Sequence, residues 1–147
     1  MIFSDLDNAL KIFKSGDFTC VLCKKDIVIK SNEAGIKPLI SLIENKTDCK
    51  NFSIADKIVG KAAAHLYILM GISDVYAGVI SKPALALLKR NHISVQYEVL
   101  TDSIINRKGN DICPMEKAVL NVSDDNSEEA FMKIKEKVKE LKSLKQK

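Results

Sequence analysis

Residues 55–64, which read Ala-Asp-Lys-Ile-Val-Gly-Lys-Ala-Ala-Ala, concentrate charged side chains beside small ones. The pattern predicts one helix whose first turns carry Asp56, Lys57 and Lys61. Two lysines four positions apart share a helix face, and Gly60 lets an anionic group such as phosphate or carboxylate approach the backbone. The stretch therefore predicts a ligand-facing helix end. The alternative is a solvated lysine pair, with Asp56 interacting favourably with the helix dipole.

Cys113 is the second residue with chemical potential. It precedes Pro114 and follows the polar run 107–111. Proline is favoured at the first position of a helix, and a thiolate at a helix N-terminus near cations is stabilised. Cys113 is therefore a candidate nucleophile or redox thiol. The alternative is a partly buried structural cysteine.

Other cysteines and histidines have weaker claims. Cys20 and Cys23 have the C-x-x-C spacing of metal or redox sites, but they lie in an apolar, β-prone run. Positions three apart on a strand point to opposite faces, so we interpret both as buried structural residues. His65 and His92 are distant in sequence, and we interpret them as structural or exposed.

Charge and hydrophobicity exclude several classes of protein. The chain has 147 residues, 46% hydrophobic content and a net charge of +4, but residues 128–147 hold seven Lys against four Glu, so the rest is nearly neutral. Nucleic-acid binding requires a basic face, so we expect no nucleic-acid partner. No apolar run approaches the roughly 20 residues of a membrane span, and no secretory signal is apparent. We expect a cytoplasmic protein without a membrane partner.

The elements that position these residues follow from hydrophobic spacing and from helix-capping signals. Ser4 and Asp7 resemble a capping box, and the helix that they begin ends at Gly16. The remaining predictions are a hairpin of strands 18–23 and 26–30, a helix around Ile36–Ile43, a helix over 54–70 with Ser53 as N-cap, a strand over 74–80, a helix over 83–91, a strand over 94–100 and a helix over 128–147.

Alternating helices and strands predict an α/β fold. The strands over 74–80 and 94–100 are joined by a crossover, which makes them parallel. With the hairpin they form a mixed sheet in a three-layer α/β/α arrangement. The polar break at 123–126 divides the chain into a domain over 1–122 and an amphipathic helix over 123–147. We interpret this helix as a docking or homodimer-pairing element in preference to a membrane-surface helix.

Three ordered motifs carry a resemblance to a known family. They lie at 55–63, at 75–85 and at 105–107 followed by 112–119. With these motifs the sequence resembles the uncharacterised family called domain of unknown function 1893, over roughly residues 4–122, and the order of elements resembles the cytidine-deaminase-like fold. The resemblance implies a deaminase-like cleft without an established activity. Within the motifs, the ligand-binding residues that we predict are Gly60, Lys61, Ser81, Asn106, Arg107 and Glu116.

The sequence departs from zinc deaminases at the metal ligands. Those enzymes use H-x-E at the start of one helix and P-C-x-x-C at the start of the next. In the matching positions, Asp56 replaces the histidine and Ile58 replaces the glutamate. Pro83 is present, but Ala84 and Leu87 replace the cysteines. A catalytic zinc requires three protein ligands, so we predict no metal, no cofactor and no zinc-dependent deamination.

Two hypotheses of function follow. The first is a metal-free, thiol-dependent enzyme acting on a small nucleotide-like or anionic ligand. In it Cys113 is the nucleophile, Asp56 the acid or base, and Lys57 or Lys61 the anion anchor. The second is a non-catalytic ligand-binding, sensor or interaction domain that has kept the cleft.

Overall fold

The computed structural model describes residues 4–106 and 108–145. The helices are α1 (Asp5–Lys14), α2 (Lys37–Glu44), α3 (Lys61–Met70), α4 (Lys82–Arg90), α5 (Pro114–Ala118) and α6 (Ser127–Lys145). The strands are β1 (Cys20–Lys24), β2 (Ile27–Ser31), β3 (Ser53–Val59), β4 (Asp74–Ser81) and β5 (Ser94–Thr101).

The five strands form one mixed sheet in the order β2-β1-β3-β4-β5. Strand β1 pairs antiparallel with both β2 and β3. Strands β3, β4 and β5 run parallel to one another. The predicted α/β class, the hairpin and the parallel pairing of the last two strands are confirmed.

Helices cover both faces of the sheet. The larger core lies between the sheet and α2, α3, α4 and α6, with Ile54, Leu66 and Ile134 fully buried. The smaller core lies under α1 and consists of Leu6, Ala9, Val21, Cys23, Ala55 and Tyr76. This arrangement gives the three layers predicted from the sequence.

Cys20 and Cys23 belong to different cores. Cys20 packs in the larger core and Cys23 in the smaller one, and both are almost fully buried. Because β1 is a regular strand, residues three apart lie on opposite faces. The interpretation of this pair as buried structural residues on opposite faces is confirmed.

The beginning of α1 and the end of α3 follow local sequence signals. Ser4 accepts a hydrogen bond from the Asp7 backbone nitrogen, and the Asp7 side chain accepts one from the Ser4 backbone nitrogen. This reciprocal pair is the predicted capping box. Gly71 ends α3 in the left-handed conformation, at φ 76°, where a glycine carries no steric penalty.

The predicted helix over 54–70 is wrong in its first half. Residues Ser53–Val59 form β3, and α3 begins only at Lys61. In β3 the neighbours Ile54 and Ala55 are both fully buried but belong to opposite cores. The backbone of β3 pairs on both sides, with β1 and β4. Val59 returns to the larger core with Ile54, so the alternation is interrupted before the end of the strand. Ile58 is 52% exposed.

Helix α6 packs on the rest of the chain. Ala130 and Ile134 are fully buried and belong to the larger core, and α6 contacts α3 and α5. The division at residues 122 and 123 remains a prediction. Among the described helices, none combines the length and the apolar character that crossing a membrane requires.

Candidate functional site

The candidate site lies where the parallel strands end. Strand β3 ends at Val59 and α3 begins at Lys61, while β4 ends at Ser81 and α4 begins at Lys82. Two helix N-termini therefore follow the carboxyl ends of neighbouring parallel strands. In open α/β sheets this edge is where ligands usually bind.

The N-terminus of α3 is occupied by the side chain of Glu116. One carboxylate oxygen, Oε1, accepts a hydrogen bond from the Lys61 backbone nitrogen at 2.6 Å. The other, Oε2, accepts one from the Ala62 backbone nitrogen at 2.9 Å. The first amide groups of a helix lack partners within the helix, and the helix dipole favours a negative charge there. The Glu116 carboxylate, from a segment distant in sequence, supplies both the hydrogen-bond acceptors and the negative charge.

Gly60 provides the space for this carboxylate. It is the N-cap of α3, in an extended conformation at φ −101° and ψ −179°, which any residue can adopt. A Cβ at this position would lie 2.7 Å from Glu116 Oε2 and closer still to Oε1. A side chain at position 60 would therefore force the Glu116 carboxylate to move away from α3, whereas the backbone conformation itself places no demand on glycine.

Lys61 is paired within the protein. Its Nζ lies 2.7 Å from Asp124 Oδ1, and Asp124 Oδ2 accepts a hydrogen bond from Arg90 Nη1 at 2.7 Å. Asp124 thereby links α3 and α4 to the segment before α6. The hydrogen bond from Lys61 lowers the pKa of Asp124.

Lys57 does not lie at the N-terminus of α3 or of α4. It lies on β3 with an exposed side chain, and its backbone nitrogen donates to the Thr19 carbonyl oxygen. The prediction that Lys57 and Lys61 share a helix face is therefore wrong, because one residue is on a strand and the other begins a helix.

Asp56 also lies on β3, where Tyr67 from α3 donates a hydrogen bond to its Oδ2. Burial raises the pKa of Asp56 to about 6, although the Tyr67 bond and the backbone amides of Lys57 and Ile58 lower it. Burial, then the charge of Asp56, raises the pKa of Tyr67 well above its ordinary value. Asp56 is thus a partly buried carboxyl group that titrates nearer to neutral pH than an ordinary aspartate.

Cys20 is the register partner of Asp56 on β1. Burial, with smaller contributions from Asp56 and Glu33, raises the pKa of the Cys20 thiol to about 12. Thiolate chemistry requires a lowered pKa. Cys20 therefore adds no nucleophile to the surroundings of Asp56.

Backbone hydrogen bonds hold Cys113 in place. Its nitrogen donates to the Ile104 carbonyl oxygen at 2.9 Å, and its own carbonyl oxygen accepts from the amides of Glu116 and Lys117. It is the N-cap of α5, and its side chain makes no capping hydrogen bond. Cys113 is partly exposed, whereas Cys20, Cys23 and Cys49 are buried. The Cys113 backbone thus helps to position Glu116 at α3.

Ser81 and Asn106 make local contacts. Ser81 is almost fully buried and accepts a hydrogen bond from the Ala84 backbone nitrogen at 3.3 Å, as the N-cap of α4. Asn106 Nδ2 donates to Asn110 Oδ1 at 3.0 Å, and the Asn106 backbone nitrogen donates to the Asp111 carbonyl oxygen. Both residues organise the backbone around them. Arg107, also predicted to bind ligand, lies outside the described residues.

Comparison with known proteins assigns the family. The family described as domain of unknown function DUF1893 (TM1506) matches residues 8–138. The chain belongs to the DUF1893 family. A crystal structure of a DUF1893 family protein (TM1506) from Thermotoga maritima is 32% identical and superposes with a TM-score of 0.81. The match covers 93% of this chain and 92% of that one. A search of curated proteins finds no match.

A zinc site does not fit this DUF1893 chain. Asp56, matched to a metal-binding histidine at a helix start, lies instead on β3, so that placement was wrong. The actual start of α3 directs its amides to Glu116. At α4, Ala84 and Leu87 are buried apolar residues. Within residues 4–106 and 108–145, no group of three or more His, Cys, Asp or Glu side chains is placed to hold a metal.

Two surface depressions of this DUF1893 chain lie away from the carboxyl edge. One, of about 390 Å³, is lined by residues 46–50 and the end of α3, and another, of about 350 Å³, by residues of α1 and the β1–β2 turn. Neither is lined by a residue of the predicted site.

Sequence reasoning missed two residues of the site in this DUF1893 chain. Tyr67 bonds Asp56, and Asp124 bonds Lys61. Tyr67 occurs in an apolar helix without a distinguishing spacing, and Asp124 belongs to a run that reads as a polar linker. Only the alternation in Ser53–Val59 would have indicated that Asp56 faces the same core as Tyr67.

Proposed function

We propose that this protein is a non-catalytic interaction domain whose contact surface is strand β5. The proposal rests on the length of this edge strand and on its exposed apolar side chains. It is eight residues long, and β4 is its partner in the sheet. Tyr97, Val99 and Leu100 are 42%, 52% and 39% exposed. Apolar side chains on an exposed edge favour contact with another chain.

Strand β5 lacks the usual protection of an edge. Natural edge strands carry lysine or proline, or are short. Ser94–Thr101 contains neither residue, and its one charged side chain, Glu98, accepts a hydrogen bond from Tyr76 at 3.0 Å. The opposite edge, β2, has only five residues and includes Lys30. The two edges therefore differ in length and in the presence of lysine, although Ile27 and Val28 on β2 are also exposed.

An apolar row leads to this edge. Ile58 on β3 is in register with Val79 on β4, and Val79 is in register with Val99 on β5. Register partners on parallel strands lie side by side. Ile58 and Val99, at the two ends of the row, are each 52% exposed. A partner on β5 would extend the row and cover its outer end.

Thiol-dependent catalysis has less support. In the described residues, Asp56 bonds Tyr67, and the hydrogen bonds of Cys113 involve its backbone. A nucleophilic cysteine is activated by an adjacent base, or by a cation or helix N-terminus that lowers its pKa. Among the described residues no base is hydrogen-bonded to the Cys113 sulfur, so the first of these routes has no support.

Binding of a small anion is the second candidate function, because a carboxylate already occupies the α3 N-terminus. An anionic ligand would have to displace Glu116 from the amides of Lys61 and Ala62. We expect Glu116→Ala to raise the thermal-shift response to phosphate or a nucleotide above that of the wild type. Glu128→Ala, which removes an exposed glutamate, is the control. Equal responses from all three proteins would reject this candidate.

Two broader assignments are also proposals. The order of helix, hairpin and β/α units supports a cytidine-deaminase-like fold without the zinc site. The free thiols of Cys20, Cys23, Cys49 and Cys113 support a reducing, cytoplasmic location.

Photo-crosslinking tests the interaction domain. A photoreactive amino acid replaces Val99, or Ile27 on β2 as the control, in cells that make the protein. We expect an adduct from position 99 and none from position 27. Absence of an adduct at 99, or equal adducts at both positions, would reject the proposal.

A further inference from the structure

We propose that His65 is an acid-sensitive contact that holds α6 on the rest of the chain, and that protonation of its imidazole releases this helix. Helix α6 is a different part of the molecule from strand β5, so this switch is independent of the proposed contact surface. Three features of the structure support it: the burial of His65, the hydrogen bond of its ring and the charges on the elements around it.

His65 joins α3 to the beginning of α6. It lies on α3 and is fully buried. Its Nδ1 lies 2.9 Å from Oγ of Ser127, the first residue of α6, and Ser127 is itself buried. The other ring nitrogen, Nε2, is buried without a hydrogen-bond partner in residues 4–106 and 108–145. The imidazole therefore bonds α6 through one nitrogen, while its second nitrogen is left unsatisfied.

The docking of α6 depends on few buried side chains. Ala130 and Ile134 are fully buried in the larger core, whereas Phe131 and Val138 are only partly buried. Met132, in the same helix, is 53% exposed. A segment with few buried apolar contacts opens at a lower free energy than the core of a domain. A change at the buried contact with His65 can therefore release α6 before the sheet unfolds.

Protonation would make this contact unfavourable. A neutral imidazole has one donor and one acceptor nitrogen, whereas an imidazolium has two donors. Nε2 would then carry a proton on a buried cation without an acceptor, which costs far more than an unsatisfied neutral group. The N-terminus of α6, with its positive partial charge, meets the ring at Ser127 and adds to this cost. Release of α6 would return the imidazolium to water and remove the cost.

The charges around His65 do not compensate an imidazolium. Burial, then the positive charge of Lys61, lowers the pKa of His65 below its ordinary value of 6.5, and Asp124 raises it. Asp124 is already paired with Lys61 and Arg90, and Glu116 with backbone amides of α3. Other charged side chains on α2, α4, α5 and the first turn of α6 are exposed: Lys37, Glu44, Lys82, Lys89, Lys117, Glu128 and Glu129.

Acid should therefore weaken the docking of α6. Because the pKa of His65 is below 6.5 in the docked state, the released state binds the proton more tightly. Docking has its full strength above this value and weakens as the pH falls below it. Asp56 on β3 has the opposite effect, since its raised pKa favours the folded chain at low pH. A loss of α6 in acid would thus run against the effect of Asp56.

Hydrogen exchange followed by mass spectrometry tests the switch. The protein is compared at about pH 7.5 and about pH 5, after correction for the intrinsic effect of pH on exchange. We expect the protection of α6 to fall at least about fivefold in acid, while peptides from β1 and β3 keep theirs. His65→Gln keeps a polar group for Ser127 but does not titrate, so its α6 should be equally protected at both pH values.

His92→Asn is the matched control, because the chain has two histidines. His92 is exposed and has φ 60°, a conformation that asparagine tolerates. This variant should keep the full acid response of α6. If His65→Gln does not fold, Ser127→Ala tests the same contact. It removes the partner of Nδ1, and we expect lower protection of α6 than in the wild type already at neutral pH.

Several outcomes would overturn the inference. One is a wild type whose α6 keeps its protection in acid, and another is an equal acid response in His65→Gln. Loss of the response in His92→Asn would assign it to the wrong histidine. Equal losses in α6 and in the strands would indicate global unfolding instead of release of one helix. Unchanged protection of α6 in Ser127→Ala would show that the bond to His65 does not hold it.

Discussion

Glu116 Oε1 accepts a 2.6 Å hydrogen bond from the backbone nitrogen of Lys61, which lies 55 residues earlier in the chain. The same carboxylate accepts a bond from Ala62. The segment after β5 is thereby attached to the beginning of α3. A side chain of the protein thus fills the position where an external anion would be expected.

Removal of this attachment should destabilise the fold. Glu116→Ala deletes a charged acceptor of two backbone amides, and we expect a loss of about 1–2 kcal/mol in the free energy of unfolding. Gly60→Ala should cost a similar amount, because its Cβ would displace the Glu116 carboxylate. Urea unfolding measures both.

The double variant provides the decisive comparison. If Gly60→Ala acts by displacing Glu116, the second substitution should add little to the first. Additive losses would show that the two residues contribute independently.

Asp56 should make stability depend on pH. Its pKa is raised from 3.8 to about 6 by burial, so the folded protein binds this proton more tightly than the unfolded chain. The stabilisation by protonated Asp56 is fully present below the pKa that Asp56 has in the unfolded chain. It is lost as the pH rises through the folded pKa of about 6. A shift of this size corresponds to about 3 kcal/mol.

Asp56→Asn should therefore stabilise the protein at pH 7, by up to about 3 kcal/mol, because the amide oxygen still accepts from Tyr67 without carrying a charge. Urea unfolding at several pH values between 4 and 7 should also show that the free energy of unfolding falls less steeply with rising pH in Asp56→Asn than in the wild type. Asp17→Asn, at an exposed position, is the control. An unchanged pH dependence in Asp56→Asn would contradict the burial argument.

Cysteine labelling should follow exposure. Cys113 is partly exposed and the other three cysteines are buried, and burial raises the pKa of Cys20, Cys23 and Cys49. Iodoacetamide at neutral pH should modify Cys113 first, as located by peptide mass spectrometry.

The labelling rate separates the two functional hypotheses. A non-catalytic Cys113 should react no faster than the thiol of an unstructured peptide. A rate at least about tenfold faster would indicate an activated thiolate and would support the enzyme. Labelling of Cys20 before Cys113 would contradict the burial that the structure shows.

Asp124 should contribute modestly to the stability of the fold through its ion pairs with Lys61 and Arg90. Asp124→Asn removes both ion pairs, and we expect a loss of up to about 1 kcal/mol that decreases as salt is added. Asp125→Asn is a matched control, because Asp125 has an 88% exposed side chain and lies 3.8 Å from Arg90. Equal losses in the two variants would show that Asp124 has no special role.

Local signals account for most of the fold that was predicted. A capping box at Ser4 and a terminal glycine at Gly71 determine where two helices begin and end, because such signals act through neighbouring backbone groups. Alternation of faces in β1 likewise determines that Cys20 and Cys23 cannot act together. These features need no knowledge of the rest of the chain.

Tertiary structure decided what residues 53–62 become and what their side chains contact. Ser53–Val59 fits either a helical or a strand period, and pairing with β1 and β4 selects the strand. That choice places Asp56 against Tyr67 and leaves Lys61 at the start of α3. The contact of Glu116 with α3 joins segments whose separation in sequence carries no local pattern. The sequence by itself therefore determined most of the elements and the cysteine faces, whereas long-range pairing decided that Ser53–Val59 is a strand and which side chains meet at the site.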